Sequence, residues 1–426
     1  MNPFSASVAR VLQGTVVAQA IGMLALPLLT RLFPPEAFGY LQLFSITLSL
    51  GLVVVSMRYE VAILQASRDE DAMALVRLCF WITAAVTLLT ALVCALLLAF
   101  FGPWRAGTNT VLWMLAPGLL SGGMLQTLGY LPLRLKDFDV GARAKVAQVG
   151  AYVALAIAIG ASSPVASGLV AADLLARGLA AAVICWWCVK RGVEWRGHLH
   201  RRSIRQVAWS ARAMPQFAVP GGLVNMTGSV LTPIMMFASF DAATLGQYAL
   251  VERSLMFPVA MIVAAVSQVF SADLAEQVRH GTNHANQTFR RIVFKMAMIG
   301  ALPAVAVALT SPWLFPKLFG ADWTFAGYAA RLMVPLMFAS FVTGPVNMAI
   351  MLAGRQKVQM SWEFARLAAV MLAWGAVVVF KLDASSAIAM HVGTGVVMCA
   401  LYLYLADRIL IGDRTPPTNT TNDRET

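Results

Sequence analysis

The chain has 426 residues, of which 59% are hydrophobic and 12% charged, with a formal net charge of +12. A soluble domain typically carries about a quarter charged residues, so this composition excludes a soluble globular protein. Mean hydropathy of +0.72 points the same way.

Long runs almost free of charge recur from end to end. A helix needs roughly 20 apolar residues to cross the bilayer core, and backbone groups in lipid must be satisfied within the segment. The runs therefore predict helices, and the alternating pattern of a membrane barrel is missing. In chain order, twelve spans are expected at about 8–29, 37–57, 73–101, 109–131, 145–161, 165–189, 213–239, 243–270, 292–315, 325–352, 360–380 and 384–406. The fifth and sixth are parted only by "ASSPVAS" (161–167). The first run is too long for a signal-peptide core and lacks a small-residue cleavage site, so it is expected to stay.

The first turn, "LLTRLFPPEAFGYLQLF" (28–44), is short. Pro34 and Pro35 lack an N–H, so they end one helix and suit the first turn of the next. Glu36 falls near that helix's positive end, and Phe33, Phe38 and Tyr40 suit a membrane–water interface.

Lysine and arginine set the orientation. With the N-terminus inside, 25 of the 32 fall in cytoplasmic segments and 4 outside (Arg31, Arg105, Lys317, Lys381). That asymmetry predicts both termini in the cytoplasm. The positive charge then lies along the inner membrane face, against anionic lipid headgroups, and not on a nucleic acid.

The sequence also repeats itself. "LFPPEAFGYLQL" (32–43) is similar to "SFDAATLGQYAL" (239–250), with Phe33 on Phe240 and Gly39 on Gly246, both 207 residues apart. "FGPWRAG" (101–107) is similar to "FGADWTFAG" (319–327), with Phe101, Gly102 and Pro117 on Phe319, Gly320 and Pro335, 218 apart. Spans 1–6 and 7–12 thus read as parallel copies. The expected fold is an all-α polytopic membrane protein with about twelve helices in two six-helix lobes, related by an axis normal to the membrane. The expected boundaries are an N-terminal lobe at 1–190, a basic cytoplasmic linker at 191–212, a C-terminal lobe at 213–411 and a flexible tail at 412–426. Two such halves are a transporter architecture, with a substrate site between them.

Four blocks carry a family resemblance: "LPLLTRLFPPEAFG" (26–39), "RYEVAILQASRDEDA" (58–72), "YALVERSLMFPVAMIVAAVSQVFSADLAE" (248–276) and "FPKLFGADWTFAG" (315–327). They resemble the bacterial polysaccharide-biosynthesis flippases of the multidrug/oligosaccharidyl-lipid/polysaccharide exporter superfamily. The resemblance implies twelve or fourteen helices, alternating access, and an undecaprenyl-pyrophosphate-linked oligosaccharide moved from the inner to the outer leaflet of the cytoplasmic membrane. It also implies membrane lipids, a polysaccharide polymerase and a chain-length regulator as partners. The chain departs from the fourteen-span members, having no apolar run after about residue 411.

Ionisable residues within spans are the first site candidates, because a charge at mid-bilayer costs at least ~2.5–3.5 kcal/mol. Arg253, after Glu252, lies about ten residues into the eighth span. By resemblance, Glu252, Arg253 and Pro258 match a block that lines the cavity of the related lipid II flippase, where arginine suits phosphate oxygens. The competing reading is an ion pair that packs helices. Asp173 and Arg177 have helical salt-bridge spacing, which fits either a cavity role or a self-neutralised pair. Arg331 could touch substrate or snorkel outward. Arg58, Tyr59 and Glu60 fall where the second span meets the cytoplasm, as a gate or an interface anchor. In the seventh span, Pro220, Gly221 and Gly222 suggest a hinge and Asn225 a cavity residue.

No cofactor or metal is expected. "CWWC" (185–188) ends an apolar span and reads as packing, and His391 has no partner ligand in the sequence. "HLHRR" (198–202) lacks a metal set, and "NTT" (419–421) falls in the cytoplasm on this topology. No phosphate-binding or nucleophile motif appears. Two rival classes remain: a cation-coupled small-molecule antiporter of the same fold, and a multispan polymerase or glycosyltransferase.

Overall fold

The computed structural model describes residues 3–102, 106–193, 204–279 and 285–412. The "HLHRR" cluster, the "NTT" sequon, the tail beyond 412 and the middle of "FGPWRAG" lie outside them, as does part of the 191–212 linker. Among the described residues the elements are helical. They run α1 (Pro3–Leu32), α2 (Pro35–Val54), α3 (Tyr59–Gln65), α4 (Asp69–Phe101), α5 (Ala106–Arg134), α6 (Phe138–Ser162), α7 (Ala166–Lys190), α8 (Ile204–Ser210), α9 (Val219–Ser239) and α10 (Ala242–Val251). Then come α11 (Phe257–Arg279), α12 (Ala285–Phe319), α13 (Thr324–Thr343), α14 (Ala349–Leu352), α15 (Gln356–Val379) and α16 (Ala384–Gly412).

Ten of these stretches are long and apolar enough to cross a membrane, and up to twelve are if each of two bent pairs counts as one span. The expected break at 161–167 appears between α6 and α7. The bent pairs are the seventh and eighth expected spans. One bends by 53° between Met214–Gly228 and Val230–Ser239, the other by 41° between Ala242–Met256 and Pro258–Leu274. Each contains a π-helical turn, Met214–Ala218 and Glu252–Met256, shortly before a proline. Pro220 and Pro258 cannot supply the next helical N–H, and a widened turn is one way a helix absorbs that loss.

The chain forms two compact units. The first is Met1–Leu250 with Leu318–Trp323; the second is Val251–Lys317 with Thr324–Thr426. In the first, α6 packs on α1 and α7, and α5 packs on α2, α4 and α7. Its core includes Tyr59, Ile63, Val76, Cys79, Leu128 and Ile184. In the second, α16 packs against α13 and α15, over a core of Phe270, Leu274, Phe289, Ile350 and Tyr402. Tyr402 donates its hydroxyl hydrogen to the Val346 carbonyl at 3.1 Å. Arg290 grips both oxygens of Asp407 at 2.7 Å, a bidentate clamp between α12 and α16.

The apolar windows of α4 and α12 are only 6% buried. Leu88, Phe100 and Leu302 are more than 70% exposed. On a soluble protein such faces would aggregate; on a multi-pass membrane protein they meet lipid tails.

Candidate transport site

The two ends of α2 carry the candidate residues of the first unit. At its start, Pro34 is extended (φ −70°, ψ 159°) and Pro35 opens the helix. In a continuing α1 the Thr30 carbonyl would accept from the N–H four residues on, but residue 34 is a proline. The indole N–H of Trp323 takes that place, donating to Thr30 O at 2.9 Å. Trp323 is 1% exposed and sets its ring edge-on to Phe38 at 5.1 Å. Gln247 of α10 donates to the Asp322 carbonyl at 2.7 Å. The double proline and the "GADW" segment, far apart in sequence, are thus one structure. Trp323→Phe keeps the ring but leaves a buried carbonyl unmade, at about 1–3 kcal/mol. Thermal unfolding of the purified variant should begin earlier than in wild type; an unchanged midpoint would show that the bond contributes nothing.

Here α2 and α10 also approach backbone to backbone. A Cβ on Gly39 would lie 1.7 Å from the Ala242 carbonyl oxygen, and one on Gly246 would lie 1.8 Å from that of Pro35. The pairing is reciprocal. Ala242 is Pro35 plus 207, as Gly246 is Gly39 plus 207, so each glycine faces the partner of the other's carbonyl. That self-complementarity is the mark of a two-fold axis. It agrees with a parallel repeat read at the same offset. The helix starts correspond too: Pro34 precedes α2, and Asp241 caps α10 by accepting the Thr244 N–H at 2.7 Å.

At the other end of α2 the chain turns through Met57 (φ 52°) and Arg58 (φ 61°), two consecutive non-glycine residues in the left-handed region. Such backbone costs about 1–3 kcal/mol per residue and clusters at functional sites. The turn sends Glu60 inward, where it is fully buried. Its carboxylate is reached by the Ser56 hydroxyl and by Gln126 Nε2 at 2.6 Å. Tyr59 donates to the Ala208 carbonyl at 3.3 Å, which ties α3 to α8. Arg134 closes the C-terminal end of α3, donating to the Ile63 and Ala66 carbonyls at 2.8 and 2.7 Å, and pairs with Asp69 at 2.8 Å. A cavity of about 560 Å³ opens alongside, lined by Gln65, Ser67, Asp71, Gln206 and Ser210 among others.

Arg58 leans on α9. Its Nε is buried without a hydrogen-bond partner, and a Cβ on Gly222 would stand 2.8 Å from Nη2. The missing side chain at Gly222 gives the guanidinium its seat. Pro220 and Gly221 are exposed in the same helical turn, and Asn225 is exposed on α9. The 53° bend of this pair falls later, at 228–230.

Asp173 and Arg177 pair with each other along α7, with Arg177 Nε 2.8 Å from Asp173 Oδ2. Glu252 and Arg253 sit in the π-turn of the second unit, both partly exposed, beside the buried Ser254. Arg331 is exposed on α13 of that unit. Sequence reasoning did not find Ser56, Gln126 or Trp323. Gln126 is an ordinary polar residue in an apolar run, and only its pairing with Glu60 marks it.

Up to twelve spans, two of them bent and each of those two carrying a π-turn shortly before a proline, define a polytopic membrane transporter fold. The lipid II flippase MurJ, in an inward closed conformation, matches at a TM-score of 0.69 and 12% identity, over 93% of this chain and 86% of that one. An inward-facing multidrug resistance MATE family transporter of the MOP superfamily matches at 0.61 and 14%, over 95% of each chain. An outward-facing one matches at 0.57 and 11%, over 96% of each. At such identities the likeness is one of fold. The chain belongs to the polysaccharide biosynthesis protein family, whose sequence profile matches residues 28–326. That match opens just before Pro34 and closes three residues after Trp323. No curated protein matches by sequence.

Proposed function

We propose that the protein flips an undecaprenyl-pyrophosphate-linked oligosaccharide from the inner to the outer leaflet of the bacterial cytoplasmic membrane, by alternating access, for assembly of a surface polysaccharide. The observation that carries this is the union of a polysaccharide-biosynthesis family match with the fold of flippases and exporters. In this reading the growing chain is assembled outside, so the transporter moves the lipid-linked unit across.

In this reading both termini are cytoplasmic, the Arg58 end of α2 faces the cytoplasm and the Pro34 end faces out, following the positive-inside asymmetry. Spans 1–6 and 7–12 are the two lobes. Arg58 and Arg253 are the residues that bind the pyrophosphate, Arg253 from a π-turn that frees backbone groups. The backbone contact of α2 with α10 seals the outer mouth. Asp173–Arg177 is a neutral packing pair. The polymerase and chain-length regulator act on the product.

Deleting the gene should abolish surface polysaccharide while the lipid-linked oligosaccharide accumulates on the inner leaflet. Loss of drug resistance with intact polysaccharide would favour the small-molecule antiporter reading instead.

A further inference from the structure

The cavity of about 560 Å³ in the first unit lies between α3, the start of α4 and α8. The "RYEVAILQASRDEDA" block supplies one side, through Gln65, Ser67 and Asp71. The α8 helix supplies the other, through Gln206 and Ser210. Both sides are held in place by their own contacts. Arg134 binds the Ile63 and Ala66 carbonyls and Asp69. The Tyr59 hydroxyl donates to the Ala208 carbonyl at 3.3 Å, and Val207 is anchored in the core beneath. The walls therefore stand before a ligand arrives, which lowers the cost of binding one.

The cavity is layered. Its floor is apolar, made by the buried Ala62, Leu75 and Val207. Its rim is polar: Gln65, Ser67, Gln206 and Ser210 are exposed and Asp71 is partly buried. Ser210 donates its hydroxyl hydrogen to the Val207 carbonyl at 2.8 Å, so it meets a ligand as an acceptor. The two amides supply donors as well as acceptors. No lysine or arginine is among the described residues that line the cavity, and Asp71 repels an anion. Such a lining disfavours phosphate and suits a neutral polyol. Hydroxyls bond to the rim, and the C–H face of a ring lies on the floor. Small-molecule sites occupy roughly 300–1,000 Å³, and this volume suits a mono- or disaccharide.

We propose that this cavity is a glycan subsite, which binds sugars of the lipid-linked unit through their hydroxyls, apart from the arginines that bind its pyrophosphate. The subsite rests on the flippase reading for the source of the glycan. On the topology proposed above it lies at the cytoplasmic end, where the unit is loaded. The pyrophosphate then gives affinity common to every such unit, and the cavity discriminates among sugars.

The test uses the purified full chain and three probes. They are the lipid-linked oligosaccharide extracted from cells that lack the gene, the glycan released from it by mild acid, and undecaprenyl pyrophosphate without sugars. Binding is read from the thermal unfolding midpoint, which rises with a ligand that prefers the folded state. Wild type should respond to all three, and to the released glycan at millimolar concentration. Asp71→Asn should weaken binding of the released glycan about tenfold, because hydrogen bonds to a charged group are the stronger ones. Ser210→Trp, on the exposed rim, should fill the cavity and abolish the response to the glycan. Its response to undecaprenyl pyrophosphate should stay at the wild-type level. Should either variant fail to fold, the other decides. A wild type that binds the lipid-linked unit but not the released glycan overturns the subsite and leaves the flippase reading standing. The same follows if a folded variant binds the glycan as wild type does, or if folded Ser210→Trp loses the sugar-free carrier as well. A wild type that responds to neither the lipid-linked unit nor its glycan overturns both.

Discussion

Arg253→Ala is expected to cut surface polysaccharide about tenfold or more while the protein remains at wild-type abundance in the membrane. The proposed substrate has one feature that does not depend on its sugars, the anionic pyrophosphate. Its apolar tail can stay in lipid while the glycan and phosphates cross a hydrated path. Such a path needs positive charge that does not titrate away, and arginine is protonated at any physiological pH. Arg253 lies in the π-turn Glu252–Met256, ahead of Pro258 and the 41° bend of its span. A π-turn interrupts the regular ladder, and such interruptions recur at functional sites. A charge-assisted hydrogen bond is worth about 1.5–3 kcal/mol, and 1.4 kcal/mol is a factor of ten. Arg253→Lys keeps the charge but loses the planar fork, so it should restore export only in part. If Arg253 instead serves packing alone, the alanine variant should lose thermal stability or abundance, and the molecules that remain should export normally.

Gly39→Ala and Gly246→Ala should fail to a similar degree, and this is the sharpest consequence of the reciprocal contact. Each new methyl would fall under 2 Å from a backbone carbonyl oxygen. No rotamer relieves a clash with backbone, so α2 and α10 must part. Overpacking costs typically about 1–3 kcal/mol and sometimes more, enough to shift an open–closed balance tenfold or further. The double variant should be little worse than either single one, because the first methyl has already parted the helices. Gly129→Ala and Gly178→Ala are the controls, since a Cβ there meets nothing within 4 Å. Export is read at matched protein levels. A silent Gly39→Ala, or a severe effect at one glycine and none at the other, would show that the contact does not seal the outer mouth.

The spans were legible because the bilayer leaves the chain no choice: a crossing helix must be about 20 residues long and apolar. The two glycines that the repeat pairs were legible for a related reason. Gly39 and Gly246 are held to glycine by the same contact, seen once from each side. What stayed hidden depends on partners distant in sequence. Pro34 announces that a carbonyl is orphaned, but nothing local says that Trp323, 293 residues later, fills it. Glu60 reads as an interface acid until Ser56 and Gln126 close around it. Gly222 reads as a flexible point, since a missing side chain looks the same whether it frees a backbone or seats a guanidinium. The π-turns were not foreseen either, although Pro220 and Pro258 supply their cause. A proline removes a hydrogen bond; whether the helix kinks, widens or ends is decided by packing.

The central claim is that this chain moves a lipid-linked oligosaccharide across a bilayer. It is tested most directly with purified protein in sealed vesicles that carry an undecaprenyl-pyrophosphate-linked oligosaccharide in both leaflets. A glycan-cleaving enzyme outside the vesicles reports which leaflet each molecule occupies. With wild-type protein, glycan from the inner leaflet should become accessible and cleavage should run towards completion, while Arg253→Ala vesicles should lag at least tenfold. Cleavage that stops at the outer-leaflet fraction, equal to that of protein-free vesicles, would contradict the account.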